Sequence, residues 1–392
     1  MEPLHPVDRP THTVDRLDTP FGRGAPTSTD DLHLTWGWDA GHAAAFEATA
    51  GPDHQPGRVL TLTAADLAVA LPYGQRRAVV GPRLRHTATD PIELPAVGDW
   101  VVVDLLTDPE TPRVEAVLPR RSAFLRHAPG LRTDAQVLAT NVDSVFIVMA
   151  LTRDFNLRRL ERYLGAAWSS GARPVVVLNK SDVCEDLQGA LDRIESVAIG
   201  VPVHPTSAIE RTGLDALRPY LGAGQTVALL GSSGVGKSTL VNVLLGEERQ
   251  AVRETRADDE RGRHTTTSRE LIRLPGGAIL LDTPGMRSLA LWDEDGVQQA
   301  FADIETLALG CRFRDCRHDG EPGCAVRRAI ESGELSERRL ESQRKLEREL
   351  ASLTRRKSGA SARAEARAFG KMVKRVAADA DRRRSPWRWD DA

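Results

Sequence analysis

Eight residues, Gly231-Ser232-Ser233-Gly234-Val235-Gly236-Lys237-Ser238, carry the spacing of a phosphate-binding loop. The apolar run Thr226 to Leu230 before it predicts a buried strand, and Thr239 to Leu245 after it predicts a helix. In that setting the glycines let backbone N–H groups turn inward around phosphate oxygens. Lys237 is placed to reach the β- and γ-phosphates, and Ser238 to hold Mg²⁺. The loop therefore implies a nucleoside triphosphate.

Two further short motifs say which triphosphate, and a third faces its γ-phosphate. Asn179-Lys180-Ser181-Asp182 follows the apolar run Pro174 to Leu178. The Asp182 carboxylate can accept hydrogen bonds from guanine N1–H and the 2-amino group. Adenine offers neither donor there and would leave the carboxylate unpaired. Asn179 would buttress the site, and the Lys180 stem would stack on the base. Thr206-Ser207-Ala208 fits a second guanine-contacting loop, where a backbone N–H meets guanine O6. Asp282-Thr283-Pro284-Gly285 follows Ala278 to Leu281; Asp282 would hold Mg²⁺ through water, and the Gly285 N–H would touch the γ-phosphate. In the polar stretch Gly262 to Thr267, Thr265 or Thr266 could reach Mg²⁺ and a γ-phosphate oxygen. Alone, each tetrapeptide is also an ordinary turn. Together each one ends an apolar strand, where open α/β sheets bind ligands.

A second chemistry lies near the C-terminus. Cys311, Cys316, His318 and Cys324 offer three thiolates and one imidazole within a short span, a set suited to tetrahedral Zn²⁺. The alternative is free thiols beside a surface histidine. Cys184 stands apart and reads as packing.

These groups need elements to hold them. Val142 to Ala150 reads as a buried parallel strand, and Leu157, Leu160, Leu164 and Trp168 mark one face of a helix. With Pro174 to Leu178 they make a β-α-β unit before any phosphate loop appears. A strand at 201–205 and a helix from about Gly213 to Leu221 precede the loop. A Ras-like chain runs phosphate loop, switch, Asp-x-x-Gly, Asn-Lys-x-Asp, Ser-Ala. Here the guanine-specifying pair comes first, so the domain is a circular permutation cut after the second switch, and the γ-phosphate sensor is tethered to the C-terminal module.

Upstream, Arg58 to Leu62, Arg77 to Gly81, Trp100 to Leu105 and Val114 to Leu118 are short strands between turns, the pattern of a small β-barrel. Arg76, Arg77, Arg83, Arg85 and His86 give it either a nucleic-acid face or a solvated edge. Pro119 to Asn141 reads as a basic, irregular linker. Residues 1–31 read as a disordered lead, and Trp36, Trp38 and Phe46 as packing on the segment after them. From about Leu335 a charged helical stretch carries the stripe Leu340, Leu346, Leu350 and Leu353 and ends in an Arg-rich tail, fit for RNA phosphates or for solvent. The expected units are 1–31; a barrel with its N-terminal extension, 32–120; an α/β GTPase domain, 121–290; and an α-helical metal-binding module with a basic tail, 291–392.

The chain of 392 residues is too long for one ordinary domain. A net charge of −2 gives no overall basic excess, so any nucleic-acid surface must be local. No apolar run approaches membrane-spanning length, and no basic-then-apolar export signal opens the sequence. A cytoplasmic protein with no membrane partner is the expectation.

The permuted order resembles the circularly permuted GTPases. Within them, Gly262-Arg263-His264-Thr265-Thr266-Thr267 and Cys311-Arg312-Phe313-Arg314-Asp315-Cys316-Arg317-His318 with Glu321-Pro322-Gly323-Cys324 resemble the ribosome small-subunit-dependent GTPase A family. So do Pro95-Ala96-Val97-Gly98-Asp99-Trp100, Leu118-Pro119-Arg120-Arg121-Ser122 and Asn141-Val142-Asp143. The resemblance runs from about residue 32 to 380. It implies an OB-fold, a permuted P-loop GTPase and a zinc module with helices. It also implies GTP hydrolysis to GDP and phosphate, stimulated by the small ribosomal subunit in late maturation, with rRNA contact and a monomeric chain. Carried over, the GTP contacts fall on Asn179 to Asp182 and Gly231 to Thr239, and the zinc ligands on Cys311, Cys316, His318 and Cys324. Met286 stands where Ras-like enzymes place a water-orienting Gln, so His264 becomes the candidate hydrolytic group. The alternative is a ribosome-binding assembly factor that holds nucleotide with negligible turnover.

Overall fold

The computed structural model describes residues 32, 35–63, 66–106, 111–127, 135–152, 155–246, 269–282, 294–352 and 354–355. The expected lead, the Gly262 to Thr267 stretch, Thr283 to Met286 and the Arg-rich tail lie outside these residues.

Helix α1 (Ala40–Thr49) starts at Asp39, whose carboxylate accepts the His42 N–H at 2.9 Å. Ahead of it Trp38 sets its ring against Trp100, centroids 4.7 Å apart. The barrel comes next: β1 (His54–Leu62), β2 (Leu67–Leu71), β3 (Gly74–Val80), β4 (Trp100–Asp104) and β5 (Arg113–Val117), with the short helix α2 (Pro82–Thr87) between β3 and β4. The order is β1-β2-β3-β5-β4, and β4 returns to pair with β1, so the sheet closes. β3 and β5 run parallel, the other barrel pairs antiparallel. Val59, Leu67, Val69, Leu71, Ala78, Val101, Val103 and Val114 fill the interior.

The segment expected to be an irregular linker is a hairpin. β6 (Ala123–His127) pairs with β7 (Ala135–Thr140) and buries Phe124, Leu138 and Ala139. Its basic residues brace the fold. Arg120 forks onto Asp99 with both bonds at 2.7 Å and donates to the carbonyls of Ile92 and Leu94. Arg121 pairs with Asp39 and Asp143.

The central sheet holds β8 (Ser144–Ala150), β9 (Arg173–Asn179), β10 (Val203–Pro205), β11 (Thr226–Leu230) and β13 (Ile279–Asp282) in the order β10-β9-β8-β11-β13, all parallel. β12 (Glu270–Arg273) lies antiparallel to β13 at the edge and meets β1 at Thr61↔Glu270, so barrel and central sheet are continuous. The β1–β2 register shifts between Val59 and Thr61, an irregularity in β1 at the residue that meets β12. Arg58, 1 % exposed, links the two units from inside. Its guanidinium donates to the carbonyls of Trp36 and Asn141 and to the Thr226 hydroxyl at the start of β11. Burial lowers its pKa to about 10, so it stays charged at neutral pH.

Helix α3 (Leu157–Ser170) is capped by Asn156 and ends at Gly171, whose φ of 81° closes it in the left-handed conformation. Helix α4 (Leu187–Glu195) and, after the phosphate loop, α5 (Lys237–Leu245) complete the α/β layers. The expected helix near 213–221 is a 3₁₀ segment, Leu214–Tyr220, with Pro219 inside it. The C-terminal part contains α6 (Glu294–Ala300), α7 (Ala302–Ala308), α8 (Ala325–Glu331) and α9 over 337–352.

Helix α9 buries Leu340, Leu346 and Leu350 in the core and grips α3 through charge. Arg158 pairs with Glu341 and Arg162 with Glu349. Between them Arg339, 4 % exposed, donates to Glu161 at 3.1 Å, to Asp303 at 2.5 and 2.7 Å and to the Ala300 carbonyl, with its guanidinium over Phe301. Burial pushes the Glu161 carboxyl up, while the Ser342 hydroxyl and Arg339 oppose that. Arg339→Ala is expected to destabilise the chain by about 3–5 kcal/mol in urea denaturation, because two carboxylates lose their partner. An unchanged midpoint would contradict that placement. Among the described residues no helix is long and apolar enough to cross a membrane.

Candidate functional site

The parallel strands bring the motifs to one edge. Asn179 ends β9, Gly231 follows β11, Thr206 follows β10, and Asp282 ends β13. The side chain of Asp282 lies outside the described residues, as do His264, Thr265, Thr266 and Gly285.

One side chain ties three of these segments. The Asn179 amide, 2 % exposed, donates from Nδ2 to the Val235 carbonyl at 2.9 Å and accepts at Oδ1 from the Ala208 N–H at 3.0 Å. The Ser181 N–H donates to the Thr206 carbonyl at 3.1 Å, holding the two base-side loops together. Lys180 takes φ +65°, which turns the chain into a short 3₁₀ turn, Ser181–Val183, on which Asp182 stands exposed. Ser207 is buried; its hydroxyl accepts the Glu210 N–H, and Ala208 beside it is buried too.

The phosphate loop runs from β11 into α5. Gly236 has φ +95°, and a Cβ there would sit 2.2 Å from Asn179 Nδ2, so only glycine fits. Lys237, Ser238 and Thr239 open α5, where the first N–H groups and the helix dipole favour an anion. Lys237 Nζ donates to the carbonyls of Gly231 and Ser232 at 2.8 and 2.6 Å. Ser233 and Gly234 are exposed at the loop's crest. From α3, Arg159 donates to the Ser232 hydroxyl at 2.9 Å. No sequence signal pointed to that residue, which lies 73 positions before its partner.

The second site lies between α7 and α8. Cys311, Cys316, His318 and Cys324 place their donor atoms within 4.8 Å of one another. Cys311 Sγ is 3.9 Å from Cys324 Sγ, and His318 Nδ1 is 3.3 Å from Cys324 Sγ and 3.7 Å from Cys311 Sγ. A tetrahedral ion with bonds of about 2.3 Å to sulfur and 2.0 Å to nitrogen needs edges of about 3.8 and 3.5 Å, so the four donors fit a metal ion. Burial opposes ionisation of Cys311, but backbone N–H groups of Val326 and Ala325 bring its thiol below the ordinary range. Cys184, half-buried against the core, takes no part.

Glu321 shapes the metal loop. Its carboxylate accepts the N–H of Arg317 at 2.9 Å and of Asp319 at 2.8 Å, on either side of His318, which takes φ +60°. Bonds from the Glu321, Arg317 and Asp319 N–H groups hold its carboxyl down to about 2. Glu321→Ala is expected to weaken metal binding about 10- to 100-fold in a chelator-competition titration, since the imidazole loses its orienting frame. Equal affinity in the variant would contradict that role.

The RsgA GTPase family profile matches residues 117–292. The small ribosomal subunit biogenesis GTPase RsgA of Opitutus terrae is 46% identical over 364 residues, 90% of this chain and 98% of that one. The small ribosomal subunit biogenesis GTPase RsgA 2 of Lactiplantibacillus plantarum is 51% identical over 277 residues, 71% and 78% of the two chains. Among solved structures, YloQ, described as a circularly permuted GTPase, aligns with a TM-score of 0.54 at 25% identity, over 76% of this chain and 96% of its own. YjeQ from Thermotoga maritima shares the fold, with a TM-score of 0.59 at 24% identity over 76% of this chain and 99% of that one.

Proposed function

The chain belongs to the RsgA GTPase family, and we propose that it hydrolyses GTP to GDP and phosphate on the maturing small ribosomal subunit. The observation that carries the reading is the Asn179 amide, bonded at once to the phosphate loop and to the Ala208 N–H. It sets the base-reading loops and the phosphate loop at a fixed spacing, as one guanine nucleotide requires.

In this proposal Asp182 reads guanine N1–H and the 2-amino group, the Lys180 stem covers the base, and an N–H near Ala208 meets O6. Gly231 through Thr239 cradle the phosphates, with Lys237 released from its loop carbonyls to the β/γ-phosphates. Mg²⁺ neutralises phosphate charge when bound; Ser238 and Asp282 are the residues that would hold it. His264 is the proposed water-orienting group, supported by Met286 at the position after Asp-x-x-Gly, because a thioether cannot orient water. Thr265 or Thr266 and the Gly285 N–H are the proposed γ-phosphate contacts.

Zn²⁺ is the proposed ion of the Cys₃His cluster, supported by its soft ligands and tetrahedral spacing. The proposed partner is the small subunit and its rRNA, met in the cytoplasm, and the chain is proposed to act as a monomer. The exposed Arg76, Arg83, Arg85 and His86 on the barrel supply a local basic surface for rRNA phosphates. Sedimentation with purified small subunits tests the partner. Binding with a non-hydrolysable GTP analogue and release with GDP is the expected result; equal sedimentation with and without nucleotide would contradict it.

A further inference from the structure

Helix α3 carries three arginines with different partners. Arg158 and Arg162 take carboxylates of α9. Arg159 takes a neutral one, the Ser232 hydroxyl at 2.9 Å, and the Tyr163 hydroxyl one turn on lies 3.4 Å from the same oxygen. Lys237 Nζ holds the Ser232 carbonyl at 2.6 Å. Two cations thus converge on one residue of the phosphate loop, one at its hydroxyl and one at its carbonyl. Among the described residues no carboxylate pairs with Arg159. Its half-buried charge is relieved when an anion fills the loop, and the relief grows with the anion's charge.

We propose that Arg159 is a positioning residue of the phosphate loop that favours the triphosphate over the diphosphate. Through Ser232 it fixes the loop's first turn, and its guanidinium adds a second positive charge beside Lys237. The inference rests on the proposed GTP site and adds a specificity residue to it. GTP carries one more negative charge than GDP near neutral pH, so loss of the cation weakens GTP more. Arg159 sits in α3, and α3 is gripped by α9, so the charge is held by a rigid element rather than by a loop.

The test measures GTP and GDP dissociation constants by competition with a fluorescent guanine nucleotide, using the full chain. Arg159→Gln is expected to weaken GTP about tenfold and GDP about threefold or less. Arg159→Lys, which keeps the charge, is expected to recover most of the GTP preference. Ser232→Ala alone and with Arg159→Gln should show less than additive losses, as residues acting as one unit do. In turnover the Arg159→Gln loss is expected to fall mainly on KM. Equal weakening of GTP and GDP, or an Arg159→Lys variant as poor as Arg159→Gln, would overturn the inference. A wild-type chain that binds neither nucleotide would instead overturn the GTP reading beneath it.

Discussion

Asp182→Asn is expected to shift the preference between GTP and xanthosine triphosphate by about 10⁴-fold toward the latter. A carboxylate offers two acceptors to the two donors on guanine, N1–H and the 2-amino group. An amide offers one acceptor and one donor, which suits xanthine, whose C2 carries a carbonyl oxygen. The lost pairing is costly because the base itself takes the group out of water. In the structure Asp182 is exposed, so the side chain is free of a role in the core. The variant should therefore melt with the wild type while its nucleotide selectivity reverses. Competition binding with GTP, xanthosine triphosphate and ATP is the measurement. Retained GTP preference would remove Asp182 from the base site.

Stripping the metal is expected to unfold the C-terminal module. From 309 to 324 the chain forms turns and bends without helix or strand, held besides the four donors by the Glu321 carboxylate and by Arg344, which bonds the Arg317 carbonyl and pairs with Asp319. Structural zinc supplies about 10–16 kcal/mol of apparent folding free energy in small metal domains at neutral pH. Cys311 and Cys324 also receive the N–H groups that start α8. Chelation should raise hydrogen exchange across residues 309–331, while β8, β9 and β11 stay protected. Added Zn²⁺ should restore protection. Unchanged exchange after the metal is shown to be gone would contradict a structural ion.

The elements that position the nucleotide site were legible because they are simple. Parallel strands buried on both faces read as apolar runs, and β8, β9, β11 and β13 stand close to where those runs lie. Glycine-rich and Asx-rich loops at their ends carry the motifs. The hairpin β6–β7 was not legible, because Arg120, Arg121, Arg126 and Arg132 suggest a surface linker while Phe124, Leu138 and Ala139 are scattered among them. β2 was missed because five apolar residues close to β1 give no alternation. The buried arginines were beyond reach for a different reason. Arg58 meets Thr226 and Arg339 meets Glu161 across 168 and 178 residues, and a charged side chain shows no sign of a partner so distant. Arg159 hides among arginines that pair in the ordinary way. Of the expected switch residues, His264, Thr265, Thr266 and Gly285 lie outside the described chain.

In the proposed function the small subunit sets the pace of GTP hydrolysis. Phosphate release from GTP, with and without purified small subunits and beside Lys237→Ala, tests it most directly. Slow release alone, strong stimulation by the subunit and loss of that stimulation in Lys237→Ala is the predicted result. GTP bound but hydrolysed no faster on the subunit would contradict it, and would make the chain an assembly factor that holds nucleotide without turning it over.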